Sequence, residues 1–98
     1  MENQLNQDIA QTALNAGARV NITWRSMNGD LPDPVRVDAS DVELRAMITE
    51  AVRTGSVPGI AADPRADFTD FVLDRFAPTV VRPYHLIAIR PKTPFGAS

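Results

Sequence analysis

The sequence predicts an α+β domain, a mixed sheet of about four strands packed on one amphipathic helix. Three observations lead there. Apolar and polar residues alternate over 18–27 and again over 35–39. A strongly marked helix start comes next, at Ser40. A final run, Tyr84 to Arg90, is apolar on both faces, as a strand flanked on both sides would be.

Each element has its own warrant. Leu5, Ile9 and Ala13 recur at helical spacing, with Leu14 beside them, in a segment 1–17 rich in Asn, Gln and Ala. A helix this short is marginal alone in water. The segment is therefore a tail, or a helix that orders only against a neighbour and so offers a route to self-assembly. Val20, Ile22 and Trp24 alternate with Arg19, Asn21, Thr23 and Arg25, which makes the first strand. Asn28-Gly29 is the strongest hairpin turn signal in the chain. Val35 and Val37 resume the alternation after Pro32 and Pro34, so a long loop or an irregular edge precedes a second strand over 35–39.

Ser40 and Glu43 have the spacing of a capping box, and Asp41 and Glu43 place negative charge at the positive end of the helix dipole. Leu44, Met47, Ile48, Ala51 and Val52 form one apolar stripe, and Gly55 stands where a helix-ending glycine belongs. Pro58, Gly59 and Pro64 mark a loop over 56–67. Phe68 and Phe71 to Leu73 give a short third strand. A second connection comes after it, broken by Pro78 and Pro83 and extended over 79–81. The expected core is Val20, Ile22, Trp24, Val35, Val37, Leu44, Met47, Ile48, Val52, Phe71, Leu73 and one face of 86–89. Three parts result: an N-terminal segment 1–17, a folded body 18–90 and a flexible tail 91–98 containing Pro91, Pro94 and Gly96.

Composition narrows the function classes. A chain of 98 residues has room for one modest core and no deep cleft. Its net charge is −2 and its arginines are interleaved with acids, which argues against a nucleic-acid partner. Without cysteine there are no disulfides, thiolate metal sites or thiol nucleophiles. No apolar run is long enough to span a membrane, and residues 1–8 lack the pattern of a signal peptide, so a cytoplasmic location is expected. Among the ten basic residues only Lys92 is a lysine.

The order hairpin, capped helix, Val57-Pro58-Gly59-Ile60 break, short strand and final strand His85 to Arg90 resembles ubiquitin, the β-grasp fold. The likeness covers roughly residues 18–96. Within that fold the chain looks most like the ubiquitin-like modifiers of bacterial conjugation operons. The resemblance implies a trimming peptidase, an activating enzyme that uses ATP, a conjugating enzyme and a target protein as partners. It implies that the Gly96 carboxylate is the reactive end once Ala97 and Ser98 are removed. It also implies that Pro91, Lys92, Thr93, Pro94 and Phe95 thread the activating enzyme. Gly is small enough for such a channel, and Pro91 and Pro94 keep the approach extended. The chain departs from the Gly-Gly ending of ubiquitin, with Phe95-Gly96 in that place and residues beyond it. With no lysine in the body, linkage onto this chain is confined to Lys92 or the N-terminus.

The remaining candidates have plainer readings. His85 is the only histidine, with no second ligand or nucleophile pattern near it, so it is a structural or surface residue. Asp63, Asp67, Asp70 and Asp74 lack the spacing of a calcium loop and fit turn chemistry. Trp24 is in phase with the core. Tyr84, Leu86 and Ala88 are the candidate partner-binding surface if Ile87 and Ile89 face the helix. No phosphate loop, nucleophile elbow or His-Glu-x-x-His motif is present. The expectation is a non-enzymatic modifier with no cofactor or metal of its own. The alternative is a β-grasp adaptor or assembly module that is never conjugated. Another two-layer α+β arrangement would also satisfy the order of elements.

Overall fold

The computed structural model describes residues 17–92. Strands β1 (Ala18–Trp24) and β2 (Met27–Asp30) precede helix α1 (Asp41–Arg53), and β3 (Phe71–Phe76) and β4 (His85–Pro91) come after it. The sheet is four-stranded in the order β2-β1-β4-β3. β1 pairs antiparallel with β2, β4 pairs antiparallel with β3, and β1 and β4 run parallel at the centre. A parallel pair needs a long crossover, which β2, α1, β3 and the loops between them supply together. Tail candidate Pro91 belongs to β4, opposite Phe71, so the last strand runs one residue past the expected boundary. No helix among the described residues is long and apolar enough to cross a membrane.

The hairpin differs from the expected one. Its two-residue turn is Arg25-Ser26, both with positive φ (49° and 66°), and Trp24 faces Met27 across it. That left-handed pair is the geometry such tight hairpins need, although these side chains do not favour it. Asn28-Gly29 lies inside β2 instead, for a packing reason. A turn at 25–26 carries Met27 and Leu31 towards the core, where both are packed. It also brings Gly29 against the loop beyond α1, where a Cβ would lie 2.1 Å from the Pro58 carbonyl oxygen.

The expected strand over 35–39 reduces to one bridge. Val35 exchanges two hydrogen bonds with Ala18, at 2.8 and 2.9 Å. Pro34 cannot donate to a ladder, and a turn from Arg36 to Ala39 ends the extended backbone.

The helix matches its sequence signals. The Ser40 hydroxyl accepts from the Glu43 N–H at 3.1 Å, and the Ser40 N–H donates to the Glu43 carboxylate at 3.3 Å. At the other end Gly55 (φ 73°) and Ser56 donate to the carbonyls of Val52 and Ala51, a Schellman ending. Leu44, Ile48 and Val52 are fully buried, whereas Met47 is 42% exposed at the flank of the stripe. Met47 is thus not the core residue its spacing suggested.

Sheet and helix enclose Val20, Ile22, Trp24, Val35, Ile87 and Ile89. The loops contribute Val57, Ile60, Ala66 and Phe68, all buried and none expected in the core. Phe68 is outside β3. It packs on Trp24 and Phe71 with ring centroids 5.0 and 4.7 Å apart. Val37, Phe71 and Leu73 are only partly buried against this core.

Two arginines of α1 pin the loop that carries Phe68. Arg45 donates to the carbonyls of Phe68, Thr69 and Phe71, and Arg53 to that of Ala66 at 3.0 Å. Arg75 reaches the Ala39 carbonyl at 2.8 Å and the Asp41 carboxylate at 2.7 Å. Arg45, Arg53 and Arg75 thus each hold backbone carbonyls of distant segments.

Candidate functional site

Residues paired across a sheet share a face. With Ile87 and Ile89 buried, Leu86 and Ala88 point away from the helix. Leu86 stands between Phe76 of β3 and Arg19 of β1, and Ala88 between Asp74 and Asn21. Arg90 faces Val72 and forms an ion pair with the Asp74 carboxylate. Tyr84 immediately precedes β4, with the Arg19 guanidinium 4.1 Å from its ring centroid. Arg82 lies 5.6 Å from the Phe76 ring and 5.7 Å from the Tyr84 ring. The three candidates Tyr84, Leu86 and Ala88 are thus brought to one surface.

This face has two unlike halves. Over β1 and β2 it is polar and bonded to itself. Asn21 and Asn28 exchange side-chain hydrogen bonds at 2.9 Å, Asn21 donates to Asp30 at 2.7 Å, and Asn28 to Thr23 at 3.1 Å. Over β3 and β4 it is mainly apolar beside the Asp74–Arg90 ion pair, with Val72, Leu86, Ala88 and Tyr84 half-buried and Phe76 45% exposed. Arg19 and Arg82 stack on its aromatic rings, and no described ion pair includes either one. Such a surface can bury apolar side chains of a partner and pair its carboxylates with two stacked cations.

Sequence reasoning missed Val72, Phe76, Arg19 and Arg82. The signal was alternation in β3, where Val72, Asp74 and Phe76 share a phase. Ending the third strand at Leu73, three residues early, hid it.

The tail candidates divide. Lys92 is exposed just past β4. Thr93, Pro94, Phe95, Gly96 and Ala97 lie outside the described residues, as does the segment 1–16.

His85 opens onto a small cleft of about 230 Å³ with Ala18, Arg75, Phe76 and Ala77. Among the described residues no three His, Cys, Asp or Glu side chains stand close enough to hold a metal ion. Of the four acidic candidates, Asp63 and Asp67 do turn work, whereas Asp74 lies in β3 and pairs with Arg90. Asp63 accepts from the Arg65 N–H, from the Trp24 indole and, as an ion pair, from Arg25. Those contacts, the Arg65 N–H first, hold its carboxyl below the ordinary 3.8. Asp67 is lowered likewise by the Thr69 hydroxyl and N–H.

Compared with family models, with curated proteins and with solved structures, the chain matches none. Its described residues form an α+β architecture with one four-stranded mixed sheet and one helix.

Proposed function

We propose that this chain is a ubiquitin-like protein modifier of the β-grasp type, attached to targets through the carboxylate of Gly96. The observation that carries the proposal is the position of β4. It is central in the sheet, it displays Leu86 and Ala88 on the open face, and it leads directly into Lys92 and the tail. A partner docked on the apolar half of that face would sit on the strand that delivers the reactive end. The parallel pairing of β1 with β4, with the helix between them in sequence, supports the β-grasp assignment.

In this proposal a peptidase exposes Gly96 by removing Ala97 and Ser98. An activating enzyme adenylates the carboxylate and takes it as a thioester, and a conjugating enzyme passes it to an acceptor amine. The chain is cargo in each step and catalyses none, and the reactions take place in the cytoplasm.

A non-covalent adaptor is the second reading. The apolar face with Arg19 and Arg82 is complete without any tail residue, which favours it.

Intact mass spectrometry separates the two after co-expression with the genes that flank this one. Loss of the mass of Ala and Ser, with boiling-resistant adducts that Gly96→Glu removes, is the expected result. A full-length, unattached chain beside active partner enzymes would rule out conjugation and leave the adaptor.

A further inference from the structure

β3 is an edge of the sheet, with β4 on one side and no strand among the described residues on the other. Its first residue fixes which way the backbone groups point. The Phe71 N–H donates to the Phe68 carbonyl at 3.1 Å, and the Phe71 carbonyl accepts from Arg45 at 2.8 Å. Pro91, opposite it, has no N–H to give. Phe71 therefore directs both groups away from β4. In an antiparallel ladder that direction alternates with each residue. Val72, Asp74 and Phe76 turn theirs towards β4, and Leu73 and Arg75 turn theirs outward.

Arginines close both ends of this edge. Arg45 donates to the Phe71 carbonyl and Arg82 to the Ala77 carbonyl, at 2.8 and 2.7 Å. Between them the N–H and C=O groups of Leu73 and Arg75 have no outward partner among the described residues. Such an edge is a template for an added strand.

A second copy suits it poorly. Antiparallel pairing that used only the open groups would set the two Asp74 side chains opposite each other, and like charges in that position are unfavourable. Either neighbouring register brings in Phe71 or Ala77, whose carbonyls Arg45 and Arg82 already hold. The side chains along the edge favour a different strand. On the open face they are Val72 and Phe76, with Asp74 held by Arg90 between them and Arg82 beyond the Phe76 ring. Leu73, partly buried, is on the other face. Apolar side chains complement Val72, Leu73 and Phe76, and a carboxylate complements Arg82, which no described ion pair includes.

We propose that the β3 edge takes up an extended segment of a different protein as an added antiparallel strand. Leu73 and Arg75 each exchange two backbone hydrogen bonds with it. The segment is apolar where it meets Val72, Leu73 and Phe76, and acidic at its N-terminal end, which antiparallel pairing sets beside Arg82. The proposal does not rest on Gly96 and holds for a modifier and an adaptor alike.

The probe is a blocked peptide, Glu-Asp-Val-Thr-Thr-Ile-Val, titrated into the isotope-labelled full chain. The Leu73 and Arg75 amides should shift and gain protection from hydrogen exchange, while Val72 and Asp74, already bonded to β4, keep theirs. The same peptide N-methylated at its first threonine and its isoleucine loses the two donors that face the edge and should bind about tenfold more weakly. Arg82→Glu should weaken binding of the unmodified peptide. Equal binding of the two peptides overturns the proposal, as does the absence of any shift at about 1 mM peptide. Shifts confined to Tyr84, Leu86 and Ala88 overturn it and assign the peptide to the open face. Shifts at Leu73 and Arg75 that grow with protein concentration alone overturn it and assign the edge to a second copy.

Discussion

The indole N–H of Trp24 donates to Oδ2 of Asp63 at 2.9 Å, joining residues 39 apart in sequence. The bond ties the end of β1 to the loop beyond α1. It satisfies the one polar atom of a side chain that is otherwise core. The same carboxylate closes its own turn through the Arg65 N–H, and Arg25 from the hairpin turn completes the site.

Acid should loosen this junction. The Asp63 carboxyl is held below its ordinary value in the folded chain, so the unfolded chain binds the proton more readily. The stabilisation is therefore complete above the ordinary value of 3.8 and is lost as the pH falls below it through the folded value. Asp67 has the same sign. Denaturation monitored by Trp24 fluorescence should show stability falling at the acid end, and Asp63→Asn should flatten that fall. An acid limb unchanged by Asp63→Asn would mean that other carboxyls govern it.

The turn at Arg25-Ser26 stores removable strain. Ser26 has a φ of 66°, which glycine adopts at no steric cost. Ser26→Gly should raise unfolding stability by about 1 kcal/mol, less the entropy glycine gives the unfolded chain. Chemical denaturation midpoints measure this directly, and a lower midpoint would contradict the turn geometry.

Gly29 answers in the opposite sense. Its missing Cβ leaves room for the Pro58 carbonyl, which a methyl group would approach to 2.1 Å. Gly29→Ala should destabilise by about 1–3 kcal/mol through forced backbone movement. A neutral result in a thermal melt would show that β2 and the Pro58 loop part easily.

The sheet face is testable apart from stability. Leu86→Asp places a carboxylate among Phe76, Tyr84 and Ala88 without touching the buried Ile87 and Ile89. It should abolish partner capture or adduct formation and leave the melting temperature within a few degrees. Asn28→Ala, on the self-bonded polar half, should leave capture intact. Equal loss in both variants would remove the distinction between the halves.

Much of the fold was legible because it is local. The Ser40–Glu43 capping box, the Leu44–Ile48–Val52 stripe and the β1 alternation each lie within a few residues; the first two formed as read, and β1 formed over Ala18–Trp24, short of the alternation read to 27. The phase of β4 was legible only as two options, since Leu86 to Ile89 are all apolar; burial of Ile87 and Ile89 chose between them. Val57, Ile60, Ala66 and Phe68 had no period to reveal them, because loop residues are buried by what the chain folds around.

The sequence by itself determined the helix, its caps, the first and last strands and the absence of thiol chemistry. These come from spacing, from backbone preference and from composition. Tertiary structure alone decided the turn at Arg25-Ser26 over Asn28-Gly29. It also decided the single bridge at Val35 and the gathering of Phe76, Tyr84, Leu86 and two arginines on one face. In each case the deciding contact joins distant parts of the chain. Gly29 meets Pro58, Ala18 meets Val35, and Leu86 lies between strands that begin at residues 18 and 71. Local propensity ranks the options for a short segment, and the packing that segment must complete selects among them.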